Sequence, residues 1–172
     1  MKKEKSWSRA DLLQNIALQP LHPVIGRLPE ARFPSLDDYN RLLATCDGTL
    51  CVHSGLPLRF VPQEHGRLPF ERQYEPRCYL HGEVMTRGHN WHDLLNALVW
   101  LTFPRSKAAI NLRHYRALTD SLTDSSSSQR GSVRDMNTLF DESGVVVPYA
   151  EDALADLVRG FHWKELFWQR RA

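Results

Sequence analysis

No apolar run in this sequence is long enough to cross a bilayer. The longest, residues 94–103, is broken by Asn96 and Thr102 and has about half of the ~20 residues that a span requires. Cysteine is scarce. Cys46, Cys51 and Cys78 cannot all pair internally, so a disulfide framework is not expected. The start, Met1-Lys2-Lys3-Glu4-Lys5, is basic, but residues 6–11 are polar where an export signal would be apolar. A reduced, cytoplasmic chain is the expectation. Charge of one sign is lacking too. Twenty-two basic residues face 20 acidic ones, for a net +2, which gives no bulk electrostatic reason to expect nucleic acid or a membrane. There is no glycine-rich phosphate loop and no Gly-x-Ser-x-Gly element.

What remains is ordinary globular material, 42% hydrophobic and 24% charged over 172 residues. That length suits one domain, since half of it would bury a smaller share of its surface. All prolines except Pro104 and Pro148 fall between Pro20 and Pro76. Residues 1–34 read as an N-terminal helix and a proline-rich lead-in, with the long helices mostly after residue 90.

Ser8 caps a first helix that Pro20 and Pro23 end, and Ser35 caps a second. Residues 58–61 read as a short strand closed by Pro62. Residues 77–80 and 83–86 flank His81-Gly82, which suggests a hairpin. Residues 134–140 and 145–147, around Asp141-Glu142-Ser143-Gly144, suggest another. Between them Asn90 caps an almost wholly apolar helix over 91–102, and Pro104 opens the next, with Ala108, Ala109, Leu112 and Tyr115 toward the core. Residues 120–131 read as a flexible serine loop. Residues 152–159 form an amphipathic helix stopped by Gly160. The expected fold is α+β, a small antiparallel sheet of two hairpins packed on the central helix pair.

Polar residues on an apolar helix are where chemistry is sought. His92 and Asn96 share a face at i, i+4, with Asp93 beside them. Lys107, Asn111 and His114 form one stripe on the next helix. If the two stripes face each other they line a cleft, with Arg87 entering from the preceding strand. There His92 would act as acid–base with Asp93 or Asn96 orienting it, Arg87 and Lys107 would neutralise an anion, and Asn111 and His114 would hold the ligand. The plainer readings are a capping role for Asp93, a buried structural network for His92 and Asn96, and solvated side chains for Lys107 and His114.

Cys46, Cys51, His53, Cys78 and His81 supply zinc-type donors, but free cysteine is commonly just a small buried hydrophobe. No cofactor is required by the sequence. Arg105, Lys107, Arg113 and Arg116 carry no acid among them and could face nucleic acid, although a solvated helix face is the simpler account. Trp163, Phe167 and Trp168, near Arg170 and Arg171, suit docking on the chain's own core or on a partner.

The run from Asn90-Trp91-His92-Asp93-Leu94-Leu95-Asn96 through Phe103-Pro104-Arg105-Ser106-Lys107 to Asn111 resembles the signature of a bacterial family, domain of unknown function 3025. Ser54-Gly55-Leu56-Pro57, Tyr74-Glu75-x-Arg77, Arg134-Asp135 and Trp163-Lys164 are similar and come in the same order. The resemblance implies no reaction. Its pattern takes in Glu75, Arg77, Arg87, His92, Asp93, Asn96, Lys107, Asn111, His114, Arg134 and Asp135, and leaves out the zinc-type cysteines. It also implies more chain after Trp163-Lys164, so the sequence reads as C-terminally truncated relative to the family. Two functions are open. One is a polar pocket for a small, anionic ligand, with His92 as acid–base; Glu75, Arg77, Arg134 and Asp135 are further binding residues or a salt-bridge network. The other is a non-enzymatic interaction protein with a basic and tryptophan-rich surface.

Overall fold

A computed structural model describes residues 7–123, 135–136, 138–141, 144 and 148–170. The chain divides into two compact units, Met1–Asn137 and Thr138–Ala172. In the first, helices dominate: α1 (Arg9–Gln14), α2 (His22–Ile25), α3 (Leu36–Ala44), α4 (Tyr74–His81), α5 (Trp91–Thr102) and α6 (Pro104–Thr123). Two strands, β1 (Arg59–Pro62) and β2 (Glu83–Thr86), pair in parallel with Arg59 opposite Glu83 and Phe60 opposite Val84.

The expected antiparallel sheet of hairpins is therefore incorrect. Residues 77–80 belong to α4, and Gly82 is that helix's left-handed cap (φ 69°) rather than a hairpin turn. A glycine at positive φ serves either purpose, and Pro76 falls in the first helical turn, where a missing N–H is harmless. Gly82 is required twice over, because a Cβ there would collide with the Pro57 carbonyl oxygen. Parallel strands need a long crossover, and the segment from residue 63 through α4 supplies it. The second expected hairpin also fails. Residues 135–136 and 138–141 are helical, consistent with apolar Met136, Leu139 and Phe140 at i, i+3, i+4. Residues 145–147, and the serine loop beyond residue 123, lie outside the described residues; residues 120–123 still belong to α6.

Local caps were readable. Ser8 accepts from the Asp11 N–H, Ser35 and Asp38 form a full capping box, and Asn90 accepts from the Asp93 N–H. Asn15, not Pro20, ends the first helix; Pro20 sits inside a 3-10 turn, Ile16–Leu21. Helix α5 buries Leu94, Ala97, Leu98, Trp100 and Leu101 against Leu21, Ile25, Leu28, Phe60 and Val84, which form one core. Among the described residues no helix is long and apolar enough to cross a membrane. In the second unit, the helix Asp152–Arg159 buries Ala155 and Leu157 and ends at Gly160, and Trp163 stacks on Phe167 at 6.0 Å.

The outer edge of β1 is closed by a side chain. Asn40 on α3 donates its Nδ2 to the Phe60 carbonyl oxygen and accepts the Phe60 N–H on Oδ1, both at 2.9 Å. Its carboxamide thus takes the place of a neighbouring strand's peptide group. Asn40→Ala leaves both backbone groups of buried Phe60 without a partner and is expected to destabilise by about 1–3 kcal/mol, read from urea denaturation. A change of only a few tenths would show that this edge needs no partner.

Candidate functional site

The sequence-predicted residues gather in two places. The first is the entrance to α5. β2 ends at Thr86 and delivers Arg87, and the loop through Asn90 turns the chain into the helix. Asp93 holds the third position of α5, where a capping-box acid would reach back to the Asn90 N–H. It does otherwise. Its carboxylate accepts from the Arg87 backbone N–H (2.7 Å), Arg87 Nε (2.9 Å), Arg87 Nη2 (2.7 Å) and His92 Nδ1 (2.9 Å). Burial would raise the Asp93 carboxyl, but the Arg87 side chain, then His92 and the Arg87 backbone N–H, outweigh it and hold it at about 2. The group is a carboxylate with four donors on it.

Because a carboxylate only accepts, the Asp93 bond places a proton on His92 Nδ1. In the uncharged ring, Nε2 is then the lone pair. The His92 side chain is 68% exposed while that of Asp93 is 9% exposed. A solvent-facing imidazole is thus held by a buried, fixed acceptor, the arrangement that orients a histidine base. Arg87 is committed to Asp93 through Nε and Nη2 and serves first as the carboxylate's clamp.

The second place is interior. Asn96 Nδ2 donates to the Tyr74 hydroxyl at 2.8 Å. Asn111 Nδ2 donates to the Glu75 carbonyl (3.0 Å) and to Glu75 Oε2 (2.6 Å). Lys107 Nζ lies 5.8 Å from the Trp100 ring centroid. Lys107 and His114, for which solvent exposure was the simpler expectation, are 7% and 5% exposed, whereas Ala109 faces out. The polar stripe of α6 thus faces inward with Ala108 and Leu112, and the two asparagines fasten α4 to α5 and α6. Trp100 Nε1 and Asn111 Oδ1 are buried without a hydrogen-bond partner among the described residues. The amide of Asn96 therefore serves Tyr74, while His92 has Asp93 as its partner.

Arg77 belongs to neither place. It joins an alternating chain in which Arg59 and Arg77 both hold Glu83, and Arg77 and Arg72 both hold Glu64. This network ties the crossover to α4 and both strands. A salt-bridge network is one expectation for Arg77, but spacing does not give its partners Glu64 and Glu83, although an acid such as Glu83 beside the apolar run 84–85 is a signal that a cation must be near. Asp135 is exposed, and Arg134 lies outside the described residues. Among the described residues no three His, Cys, Asp or Glu side chains converge on a common point. Cys46, Cys51, His53, Cys78 and His81 are not brought to one centre. Cys78 is fully buried on α4, and burial first, then Glu75, pushes its thiol well up.

These carboxylates make the fold acid-sensitive. Asp93, Glu83 and Glu64 all lie below their ordinary values of 3.8, 4.5 and 4.5. Burial raises Glu83, but Arg77 and Arg59 outweigh it; the Arg77 hydrogen bond leads for Glu64. Each binds a proton more weakly folded than unfolded, so its contribution is complete above the unfolded value and is lost below it. The urea midpoint is expected to hold from neutrality down to about pH 5 and to fall steadily toward about pH 2. A midpoint unchanged across that window contradicts the assignment.

Residues 58–172 match the family model described as protein of unknown function (DUF3025). The chain belongs to this family. No curated protein and no solved structure matches it. The DUF3025 match opens at β1 and takes in Arg77, Arg87, His92, Asp93, Asn96, Lys107 and Asn111; α1, α2 and α3 precede it.

Proposed function

We propose that this DUF3025 protein is a cytoplasmic enzyme in which His92 transfers a proton to or from a small, anionic ligand bound at the entrance to α5. His92 Nε2 is the base that takes a proton from water or a ligand hydroxyl. Asp93 holds the imidazole in the required tautomer and faces the imidazolium that forms. Arg87 keeps Asp93 ionised and in place. The half-exposed Arg87 guanidinium and the N-terminal end of the α5 dipole favour a negative group nearby.

The observation that carries this reading is the contrast in exposure across one hydrogen bond, His92 open and Asp93 buried. A purely structural pair has no need to leave its imidazole in water. The test is a panel of chromogenic aryl esters, aryl phosphates and aryl glycosides, assayed with the wild type and His92→Gln. Turnover is expected with at least one class and lost in the variant. Turnover that is equal in the two proteins, or absent from both, overturns the reading.

A further inference from the structure

Next to His92 stands a stack of aromatic rings that the proton-transfer reading does not use. Trp7, Phe33, His89 and Trp91 come from three separate stretches of chain. Trp7 contacts Phe33 at 5.4 Å and Trp91 at 5.9 Å between ring centroids. Phe33 meets the edge of Trp91 at 5.3 Å and lies under the ring of His89 at 5.3 Å, tilted by 29°. The base of the stack is fixed, because Trp7 Nε1 donates to the Pro29 and Glu30 carbonyl oxygens at 3.2 and 3.1 Å. Trp7, Phe33 and Trp91 are half-buried, and His89 is exposed.

His89 is held at a cost. Its φ is +53°, in the left-handed region, where a side chain is disfavoured relative to glycine. No hydrogen bond of its imidazole compensates among the described residues, and its ring contact is Phe33. The backbone is thus bent to present an imidazole with one face on a fixed aromatic base and the other toward water. This happens one residue before the cap of α5, three residues from His92. Aromatic faces exposed on a rigid support are what planar rings stack on.

We propose that the open face of His89 seats a planar aromatic or heteroaromatic ring of the ligand, with Phe33, Trp7 and Trp91 as its rigid backing. The proposal rests on the His92 reading for which reaction the ring serves, but not for the seat itself. It places the ring just ahead of the α5 cap, with His92 three residues further on as the proton-transfer group. The ligand class is then a ring-bearing small molecule, not a simple aliphatic acid or sugar.

Equilibrium binding tests this without any turnover. Adenosine and ribose are titrated, with the imidazole signals followed by NMR, into wild type, His92→Gln, His89→Gly and His89→Phe. Adenosine, but not ribose, is expected to bind the wild type and His92→Gln alike and to shift the His89 signals. His89→Gly should weaken adenosine binding at least about tenfold, in line with the stacking contribution of one ring. Glycine suits a positive φ, so this variant is expected to unfold at a temperature close to the wild type's, and lost binding is then not lost folding. His89→Phe keeps a face to stack on and should retain binding. Adenosine that fails to bind the wild type, or binds His89→Gly as well as the wild type, overturns the seat. Loss of turnover in His92→Gln, or its absence, has no bearing on that outcome.

Discussion

Replacing Arg77 with methionine is expected to lower folding stability by about 3–5 kcal/mol. The Arg77 side chain is 15% exposed and that of Glu83 is 11% exposed. Arg77 Nε holds Glu83 and its Nη1 holds Glu64. Removing it strands the nearly buried Glu83 carboxylate on β2 with Arg59 alone, and Arg59 is mostly in solvent. Methionine keeps much of the packing volume, so the loss reports the uncompensated charge and not a cavity. Since a domain of this kind has about 5–15 kcal/mol in total, the variant should melt far earlier, and part of it will be unfolded at ambient temperature if the reserve is small. Arg59→Ala is the contrast. Its guanidinium lies mostly in solvent, and Glu83 keeps Arg77 when it is removed, so the loss should be about 1 kcal/mol or less. Equal effects from the two substitutions would show that the chain of charges does not hinge on Arg77.

The second large effect is on activity. His92→Gln removes the base and should lower turnover by about 10²–10⁴-fold, the usual contribution of a positioned proton-transfer group. Because His92 is exposed, the melting temperature should hardly move. Asp93→Asn should also lower turnover severely, for a different reason. An amide in place of the carboxylate can turn its NH₂ toward Nδ1 and favour the wrong tautomer; in serine proteases the corresponding change costs about 10⁴-fold. It should in addition destabilise the fold, since Arg87 loses its carboxylate and buried acceptors are lost with it. The pair therefore separates chemistry from stability, with activity falling in both and the melting temperature in Asp93→Asn alone. If stability falls equally in both, His92 is a structural residue.

Short-range signals in the sequence translated well into structure. Ser8, Ser35 and Asn90 each start a helix because a cap depends on neighbours two or three residues away. The same locality misled at Gly82. A left-handed glycine between two short apolar runs fits a hairpin and a helix end equally, and the choice was decided by the distant pairing of β1 with β2. The α6 stripe reads as one face, yet its direction is not readable, because whether Lys107 meets water or Trp100 depends on how α5 and α4 pack against α6. His92, Asp93 and Arg87 were singled out together, but Arg87 was expected to face a ligand. That it grips Asp93 follows from where β2 ends, seven residues earlier. The Asn40 bond to Phe60 spans 20 residues, and no spacing rule signals it.

The most direct measurement is the protonation pattern of the uncharged His92 ring, read from its imidazole ¹⁵N shifts. The proton is expected on Nδ1 in the wild type, with Nε2 bare, and that preference is expected to disappear in Asp93→Ala. A His92 that carries its proton on Nε2, or whose pattern ignores the loss of Asp93, would leave no base at the entrance to α5 and would contradict the account.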